Sequence, residues 1–359
     1  MTDMQSFYIT KGQLDQGSWT SQQLPDLQPG QVLYQIDSFA LTANNISYAD
    51  HGDSLGYWQF FPGPAGQGVL PVWGFASVLQ STLDDVPEGE RLYGFFPMAS
   101  HLVMSPRRKN PLMVEDMIAH RQALPRVYNQ YSPTATDPLY QCDCEAQQAL
   151  FKPLFVTAFV ADDFLAEEQF FGAEQVLMSS ASSKTAMAIA HLLKSRSEVS
   201  CIGLTSTSNV DFTRGLGCYD RVVAYDDIPQ LSGDVASVYV DIAGNGQLRN
   251  QIHEHYSAAL RYSCSIGGAH WQARSDAPPA TGPKPRFLFA PTHVEKRVAQ
   301  WGAERFSKSV ATAWLDFLPM AIQAVEVTPR IGPQAMADTY NDLLSGANNP
   351  RHGYMASWS

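Results

Sequence analysis

The feature that most constrains the fold is a short apolar strand that runs through a serine-rich loop into a helix of small residues. The junction reads Gln175-Val176-Leu177-Met178-Ser179-Ser180-Ala181-Ser182-Ser183-Lys184-Thr185-Ala186. Sheets that bind nucleotides place their phosphate loop at such a junction, because the N–H groups of the helix attract anions. Glycine is typical there, since the turn is tight and a pyrophosphate touches the backbone. This loop has no glycine, so the sequence predicts a nucleotide-binding architecture with an altered loop.

Strands and helices alternate from this loop onward. The predicted elements are a helix at 185–194 and strands at 175–179, 199–205, 221–225, 238–242, 261–266 and 286–290. Such alternation indicates a parallel sheet with helices on both faces. Residues 5–105 instead contain short apolar runs separated by glycine and proline, which predict a β-rich region. The two patterns together predict the α/β fold class.

Length and charge narrow the range of functions. With 359 residues, 45% of them hydrophobic, the chain is long enough for two globular domains. A formal net charge of -11 argues against nucleic acid or an anionic membrane as the partner. The short basic run Arg107-Arg108-Lys109 is expected to be a solvated loop. We expect a cytoplasmic protein, because no apolar run has the length of a transmembrane helix and the N-terminus lacks signal-peptide features.

Several further motifs follow one another along the chain. They are Val86-Pro87-Glu88-Gly89-Glu90-Arg91-Leu92-Tyr93-Gly94, Leu216-Gly217-Cys218-Tyr219-Asp220-Arg221-Val222-Val223, Val240-Asp241-Ile242-Ala243-Gly244 and Ser265-Ile266-Gly267-Gly268. This series resembles the medium-chain dehydrogenase/reductase superfamily, specifically its zinc-free quinone and enoyl reductase-like branch. The resemblance covers most of the chain apart from about 107–140.

The resemblance implies two domains. Residues 1–145, completed by 318–359, would form a GroES-like, β-rich catalytic domain. Residues 146–317 would form a Rossmann-type nucleotide-binding domain with a doubly wound parallel sheet. The active site would lie in the cleft between them and take a small-molecule substrate, and the expected assembly is a homodimer.

A cofactor site is also implied by the resemblance. The branch has a Gly-x-x-Gly-x-x-Gly-like loop, and the matching positions here are Ser180, Ser183 and Ala186. The predicted cofactor-binding residues are Ser180, Ser182, Ser183, Lys184, Thr205, Ser206, Asn209, Gly244 and Gly267. In one interpretation the serine hydroxyls and Lys184 donate to phosphates. In the other, the serines cap the helix and occupy the N–H groups that a phosphate needs.

The end of the second strand of this sheet indicates which dinucleotide fits. A carboxylate there accepts the ribose hydroxyls of NAD and repels the additional phosphate of NADP. The chain has Thr205-Ser206-Thr207-Ser208-Asn209 at this place, with no carboxylate before Asp211. The sequence therefore favours NADP over NAD as cofactor.

Residues 32–52 look like the opening strand and active-site loop of the family, with Asn44, Asn45 and Tyr48 where it carries Asn and Tyr. The resemblance implies that Tyr48 donates a proton or hydrogen bond, while Asn44 or Asn45 polarises a carbonyl. Zinc-dependent relatives carry Cys or His after the first long strand and a Gly-His-Glu unit further on. This chain has Leu41-Thr42-Ala43-Asn44-Asn45 and Trp73-Gly74-Phe75 in those regions, so no metal is expected.

Two functions remain open at this point. One is NADP-dependent reduction of an enone or quinone, and the other is a non-catalytic ligand-binding or interaction protein that kept the fold. The segment 125–140, rich in proline and tyrosine, forms either an ordered segment over the site or a surface insertion. In the first case, Tyr128 and Tyr131 would line the cleft.

Overall fold

The computed structural model describes residues 3–196, 198–266, 279–347 and 349–358. The chain divides into two compact units, Met1–Leu150 with Val327–Ser359, and Phe151–Glu326. Among the described residues, no helix combines the length and hydropathy needed to cross a bilayer.

The strands, in chain order, are β1 (Asp3–Thr10), β2 (Gln13–Gln23), β3 (Val32–Leu41), β4 (Gln67–Val69), β5 (Pro71–Ser81), β6 (Arg91–Pro97), β7 (His101–Met104), β8 (Pro106–Asn110), β9 (Met113–Asp116), β10 (Gln130–Pro133), β11 (Gln175–Met178), β12 (Ser200–Thr205), β13 (Arg221–Ala224), β14 (Ser237–Asp241), β15 (Leu260–Ser265), β16 (Arg286–Phe287), β17 (Glu326–Ile331) and β18 (His352–Ser357). The helices are α1 (Ala43–Asp50), α2 (Glu145–Glu167), α3 (Lys184–Lys194), α4 (Val210–Gly215), α5 (Gly246–Tyr256), α6 (Ala290–Trp301), α7 (Ala303–Ala324) and α8 (Gly332–Ser345).

Two sheets form the first unit in the described part of the chain. One is three-stranded, in the order β2-β1-β4, and the other is nine-stranded, with successive strands β17-β18-β3-β5-β6-β10-β9-β8 and β7 paired to β3. Gly74 allows β3 and β5 to approach closely, since a Cβ there would lie 2.1 Å from the Ser38 carbonyl oxygen. The register pairs Trp73 of β5 with Ala40 of β3. Trp73 thus lies beside the start of α1, which follows β3.

The segment 107–140 is part of this nine-stranded sheet. The basic run lies in β8, where Arg108 pairs with Glu90 at 2.6 Å and Lys109 with Glu115 at 2.8 Å. The prediction of a loop at this run is therefore wrong, because the run forms a strand of the sheet, although Arg107 and Lys109 are exposed. A fully buried ion pair of 2.7 Å between Arg121 and Asp116 fixes the same segment from within.

The second unit confirms the predicted doubly wound parallel sheet. Six parallel strands of the described residues follow the order β13-β12-β11-β14-β15-β16. All five residues of β14 are buried, as expected for a parallel strand covered on both faces. The strand order reverses between β11 and β14, and ligands of such sheets bind outside the carboxyl ends of the strands at that reversal. The serine loop follows β11 directly.

Candidate active site

The loop at residues 179–183, here called the serine loop, joins β11 to α3 in a conformation that glycine usually adopts. Ser180 has a φ of +52°, in the left-handed region that favours glycine. Ser183 is the N-cap of α3, and its Oγ accepts a hydrogen bond from the Ala186 N–H at 3.3 Å. The capping interpretation therefore holds for Ser183.

Most backbone N–H groups of the serine loop have acceptors within the chain. The Ser180 N–H donates to the Tyr225 hydroxyl at 3.0 Å, the Ala181 N–H to the Leu204 carbonyl at 3.0 Å, and the Ser183 N–H to the Ser180 carbonyl at 2.8 Å. Across the described ranges, the N–H groups of Ser182 and Thr185 have no acceptor. These two donors at the start of α3 remain open to a ligand.

The predicted cofactor residues at the end of β12 meet the serine loop. Ser182 Oγ accepts hydrogen bonds from Asn209 Nδ2 at 3.3 Å and from Thr205 Oγ1 at 3.5 Å. Ser206 lies next to this group, with its Oγ 3.1 Å from that of Ser208. The structure thus brings together hydroxyl and amide groups from two adjacent strand ends without a carboxylate.

At the end of β14, a buried carboxylate ties that strand to the serine loop. Ser179 Oγ donates to Asp241 Oδ1 at 3.1 Å and accepts the N–H groups of Ile242 and Ala243 at 3.0 Å each. The Gly244 N–H also donates to Asp241 Oδ1, at 2.9 Å. Burial raises the pKa of the Asp241 carboxyl, although hydrogen bonds from Gly244 and Ser179 act in the opposite direction.

Three polar groups of this region were not predicted from the sequence as part of the site: Ser179, Tyr225 and the carboxylate of Asp241. Asp241 belongs to the Asp-x-x-Gly motif, which was a usable signal for its contact with Gly244. Nothing in the local sequence pairs Tyr225 with Ser180, because the contact depends on how strands 45 residues apart are arranged. Gly267, also predicted to bind the cofactor, lies outside the described residues.

Lys184 is the first residue of α3 and is partly buried. Its Nζ lies 6.0 Å from the centroid of the Phe151 ring. Burial lowers the pKa of the Lys184 ammonium to about 8. A cation at the positive end of the helix dipole destabilises the helix. An anion bound at the same place would be stabilised by the helix dipole and by the ammonium group.

In the first unit, Tyr48 of α1 lies among aromatic side chains and is only 6% exposed. Its hydroxyl accepts a hydrogen bond from Trp73 Nε1 at 3.0 Å. Burial raises the pKa of the Tyr48 hydroxyl far above its usual range, although the neighbouring Trp73 and Asn44 side chains act to lower it. We call this group, which consists of Tyr48, Asn44, Trp73, Tyr57 and Tyr128, the Tyr48 cluster.

Asn45, predicted beside Tyr48 as a polarising residue, is engaged in the chain's own structure. It is buried, its Oδ1 accepts the Thr42 N–H at 2.7 Å, and its Nδ2 donates to the Pro71 carbonyl at 2.8 Å. These bonds fix the start of α1 to β5. Asn44 is partly buried.

The segment 107–140 contributes to this cluster through Tyr128. The Tyr128 and Tyr57 hydroxyls are 3.0 Å apart, and the Tyr48 and Tyr57 ring centroids are 4.6 Å apart. Tyr131 does not contribute its hydroxyl, which donates to the Phe95 carbonyl at 2.8 Å and accepts from Arg121 at 3.1 Å. Of the two tyrosines predicted to line a cleft, the structure places Tyr128 against Tyr48.

Several solved structures have a similar fold. CurA from Vibrio vulnificus in complex with NADPH matches with a TM-score of 0.63 and 11% identity over 99% of each chain. The quinone oxidoreductase from Coxiella burnetii matches with a TM-score of 0.54 and 14% identity, over 99% of this chain and 100% of that one. CurK enoyl reductase matches with a TM-score of 0.55 and 13% identity over 99% of each chain.

These matches confirm the resemblance of fold to quinone and enoyl reductases of the medium-chain dehydrogenase/reductase superfamily, with GroES-like and Rossmann-like parts. No protein with a curated description matches the chain in sequence. A family model described as "Protein of unknown function (DUF2855)" matches residues 39–349. Because this match spans most of the chain, the protein belongs to the DUF2855 family.

Proposed function

We propose that the protein is an NADP(H)-dependent, metal-independent reductase of an enone or quinone-like carbonyl compound. The observation that carries the proposal is the group of donors at the start of α3. The Ser182 and Thr185 N–H groups have no acceptor in the described part of the chain, and Lys184 adds an ammonium group at the same helix end. A pyrophosphate would accept hydrogen bonds from all three and would favour the charged form of the lysine.

The serine loop fits a dinucleotide with fewer backbone contacts than a glycine loop offers. Four N–H groups, those of Ser180, Ala181, Ser183 and Ala186, already donate within the chain. The side chains present are nevertheless small, which leaves the backbone approachable. CurA, which shares the fold, is known in complex with NADPH, and this likeness supports the same cofactor here.

The choice of NADP over NAD follows from the end of β12. Its polar group of Ser182, Thr205 and Asn209 is uncharged, so it does not repel an additional phosphate. The nearest following carboxylate, Asp211, is 94% exposed and pairs with Arg214 at 3.0 Å. A carboxylate that accepts both ribose hydroxyls, as NAD-binding proteins use, is thus missing from this strand end.

Bound NADPH would supply a hydride, and the chain would supply orientation and stabilisation of charge. In our proposal the Tyr48 hydroxyl donates a hydrogen bond to the carbonyl oxygen of the substrate, where negative charge develops. The Phe95 and Tyr128 rings pack against Tyr48, with centroids 5.4 and 6.4 Å from its own, and provide an apolar surround. We assign no polarising role to Asn45, because both ends of its amide are already bonded.

Calorimetric titration with NADPH and NADH, followed by turnover of cyclohex-2-enone and of a benzoquinone, tests the proposal. We expect NADPH to bind more tightly than NADH and to be consumed when the carbonyl compound is added. Equal affinities for the two cofactors, or tighter binding of NADH, would contradict the proposed preference for NADPH. Tight NADPH binding without turnover of either class would contradict the proposed reaction while leaving the cofactor site.

A second candidate is a non-catalytic ligand-binding or interaction protein. It is favoured by the bonds from Ser180 to Tyr225 and from Ala186 to Ser183, which satisfy loop donors without a ligand. Absence of NADPH binding at millimolar concentration would favour this candidate over the reductase.

A further inference from the structure

The Tyr48 hydroxyl receives a hydrogen bond but gives none within the described chain. Trp73 Nε1 donates to it at 3.0 Å, and an indole N–H is a donor only. A hydroxyl has two acceptor lone pairs and one proton. Because the indole N–H occupies one lone pair, the proton is directed away from Trp73 and remains for a ligand.

Trp73 is itself held firmly in the sheet. It pairs with Ala40 of β3 on one side and Phe95 of β6 on the other. Its ring stacks on that of Tyr93, with centroids 5.7 Å apart and planes inclined by 28°. The indole is partly exposed, unlike the buried Tyr48. The orientation of its N–H toward Tyr48 is therefore set by strand register and stacking.

We propose that Trp73 is a positioning residue that directs the Tyr48 proton toward the substrate. The inference rests on the proposed reductase function. A hydroxyl that accepts a hydrogen bond is polarised and becomes a stronger donor. A ligand atom that meets this proton is an acceptor, as the oxygen of an enone or quinone is. Trp73 thereby favours carbonyl compounds without touching the reacting atoms.

Trp73→Phe tests this role, because phenylalanine keeps an aromatic ring for stacking on Tyr93 and removes the N–H. We expect kcat for cyclohex-2-enone reduction to fall roughly two- to tenfold, the effect of one hydrogen bond, while the NADPH Kd is unchanged. In a Tyr48→Phe background the same change should have no further effect, because there is no hydroxyl left to orient. Unchanged kcat in the single variant, or equal losses in both backgrounds, would overturn the inference.

Trp19→Phe is the matched control. It removes an indole N–H of the same unit, which donates to the Pro333 carbonyl at 2.8 Å, and leaves the Tyr48 cluster intact. We expect its kcat to equal that of the wild type. A loss in Trp19→Phe as large as in Trp73→Phe would count against a specific role of Trp73.

A spectroscopic readout separates this inference from the proposed function. The Trp73 Nε1–H cross-peak in a ¹H–¹⁵N spectrum, assigned by its loss in Trp73→Phe or by ring-specific labelling, should shift in Tyr48→Phe. It should also shift when cyclohex-2-enone is added to the wild type with NADPH, but not when it is added to Tyr48→Phe. Enone-dependent shifts without turnover would contradict the reductase and keep the Trp73–Tyr48 pair as a carbonyl-binding device. A cross-peak insensitive to both changes would overturn the inference.

Discussion

The serine loop and the Tyr48 cluster satisfy their polar groups in opposite ways. In the serine loop, the chain's own acceptors, among them the Tyr225 hydroxyl and Ser183 Oγ, take up backbone donors that a ligand would use. In the Tyr48 cluster, an internal donor from Trp73 engages the hydroxyl oxygen and leaves its proton. Apart from the open Ser182 and Thr185 N–H groups, a ligand at the loop must therefore compete with the chain for donors, whereas a ligand acceptor at Tyr48 has no competitor among the described residues.

Because of this difference, variants in the two regions should affect different quantities. Variants of the loop should change cofactor affinity, in either direction, according to whether they remove a donor or an internal competitor. Variants of the Tyr48 cluster should change the rate and leave cofactor affinity alone. A variant in one region with the effect expected of the other would break the comparison.

The largest effect is expected for Tyr48→Phe. Loss of the donor hydroxyl should lower kcat for enone or quinone reduction by about 10²–10⁴-fold, because the carbonyl loses its proton or hydrogen-bond donor. The NADPH Kd should stay at the wild-type value. Steady-state kinetics and calorimetry check both. Tyr340→Phe, which removes another buried hydroxyl that donates to the Leu14 carbonyl at 2.7 Å, is the control and should keep the wild-type kcat.

Lys184→Ala should weaken NADPH binding by about 1–3 kcal/mol, as expected for the loss of a charge-assisted hydrogen bond. The exposed Lys308 provides the control, since Lys308→Ala removes the same charge away from the serine loop. Equal Kd values for the wild type and Lys184→Ala would show that this ammonium does not hold the cofactor.

The pH dependence of NADPH binding sharpens the same assignment. The pKa of the free-protein Lys184 is lowered to about 8, so the ammonium loses its proton above that pH. Phosphate favours the charged form, and binding above pH 8 must take up a proton. The NADPH Kd should be nearly constant below about pH 7, begin to rise as the pH approaches 8, and above that pH rise by up to about tenfold per pH unit. Lys184→Arg, which stays charged, should abolish this rise, and persistence of the rise would assign it to another group.

Ser183→Gly should have the smallest effect, and in the favourable direction. It frees the Ala186 N–H from an internal acceptor, so NADPH should bind roughly two- to tenfold more tightly. Replacing this N-cap by glycine should cost only a few tenths of a kcal/mol of unfolding free energy, whereas Ser183→Ala should cost about 1 kcal/mol. Thermal unfolding and calorimetry of both variants check this. Unchanged affinity in both would show that Ser183 does not compete with the cofactor.

The sequence allowed prediction of the second unit more closely than of the first. The strand predicted at 261–266 is Leu260–Ser265, and the helix predicted at 185–194 is Lys184–Lys194. Parallel strands buried on both faces leave continuous apolar runs, and Ser183 marks the helix start as its N-cap. The sequence also predicted the serine loop as the junction of a strand and a helix, and the structure shows that this junction lies at the strand-order reversal.

Contacts that depend on tertiary structure could not be predicted from the sequence. The pairing of Ser180 with Tyr225 and of Trp73 with Tyr48 joins residues whose spacing carries no periodic signal. Asn45 illustrates the converse, since its position in the motif suggested chemistry while the structure uses its amide to fix α1 to β5. The proposed roles of Asn44, Tyr48 and the cofactor residues, the homodimer and the cytoplasmic location stay predictions.

Strands β8, β9 and β10 extend the sheet beyond β6, and this limits where the chain can be shortened or lengthened. A deletion of residues 107–140 would expose the edge of β6, and unpaired strand edges promote association between chains. It would also remove Tyr128 from the Tyr48 cluster and the buried Arg121–Asp116 pair. The segment is thus not a detachable module. Natural length variation in the family should occur at the turn between β8 and β9, where Leu112 is 51% exposed, and should spare the strands on either side.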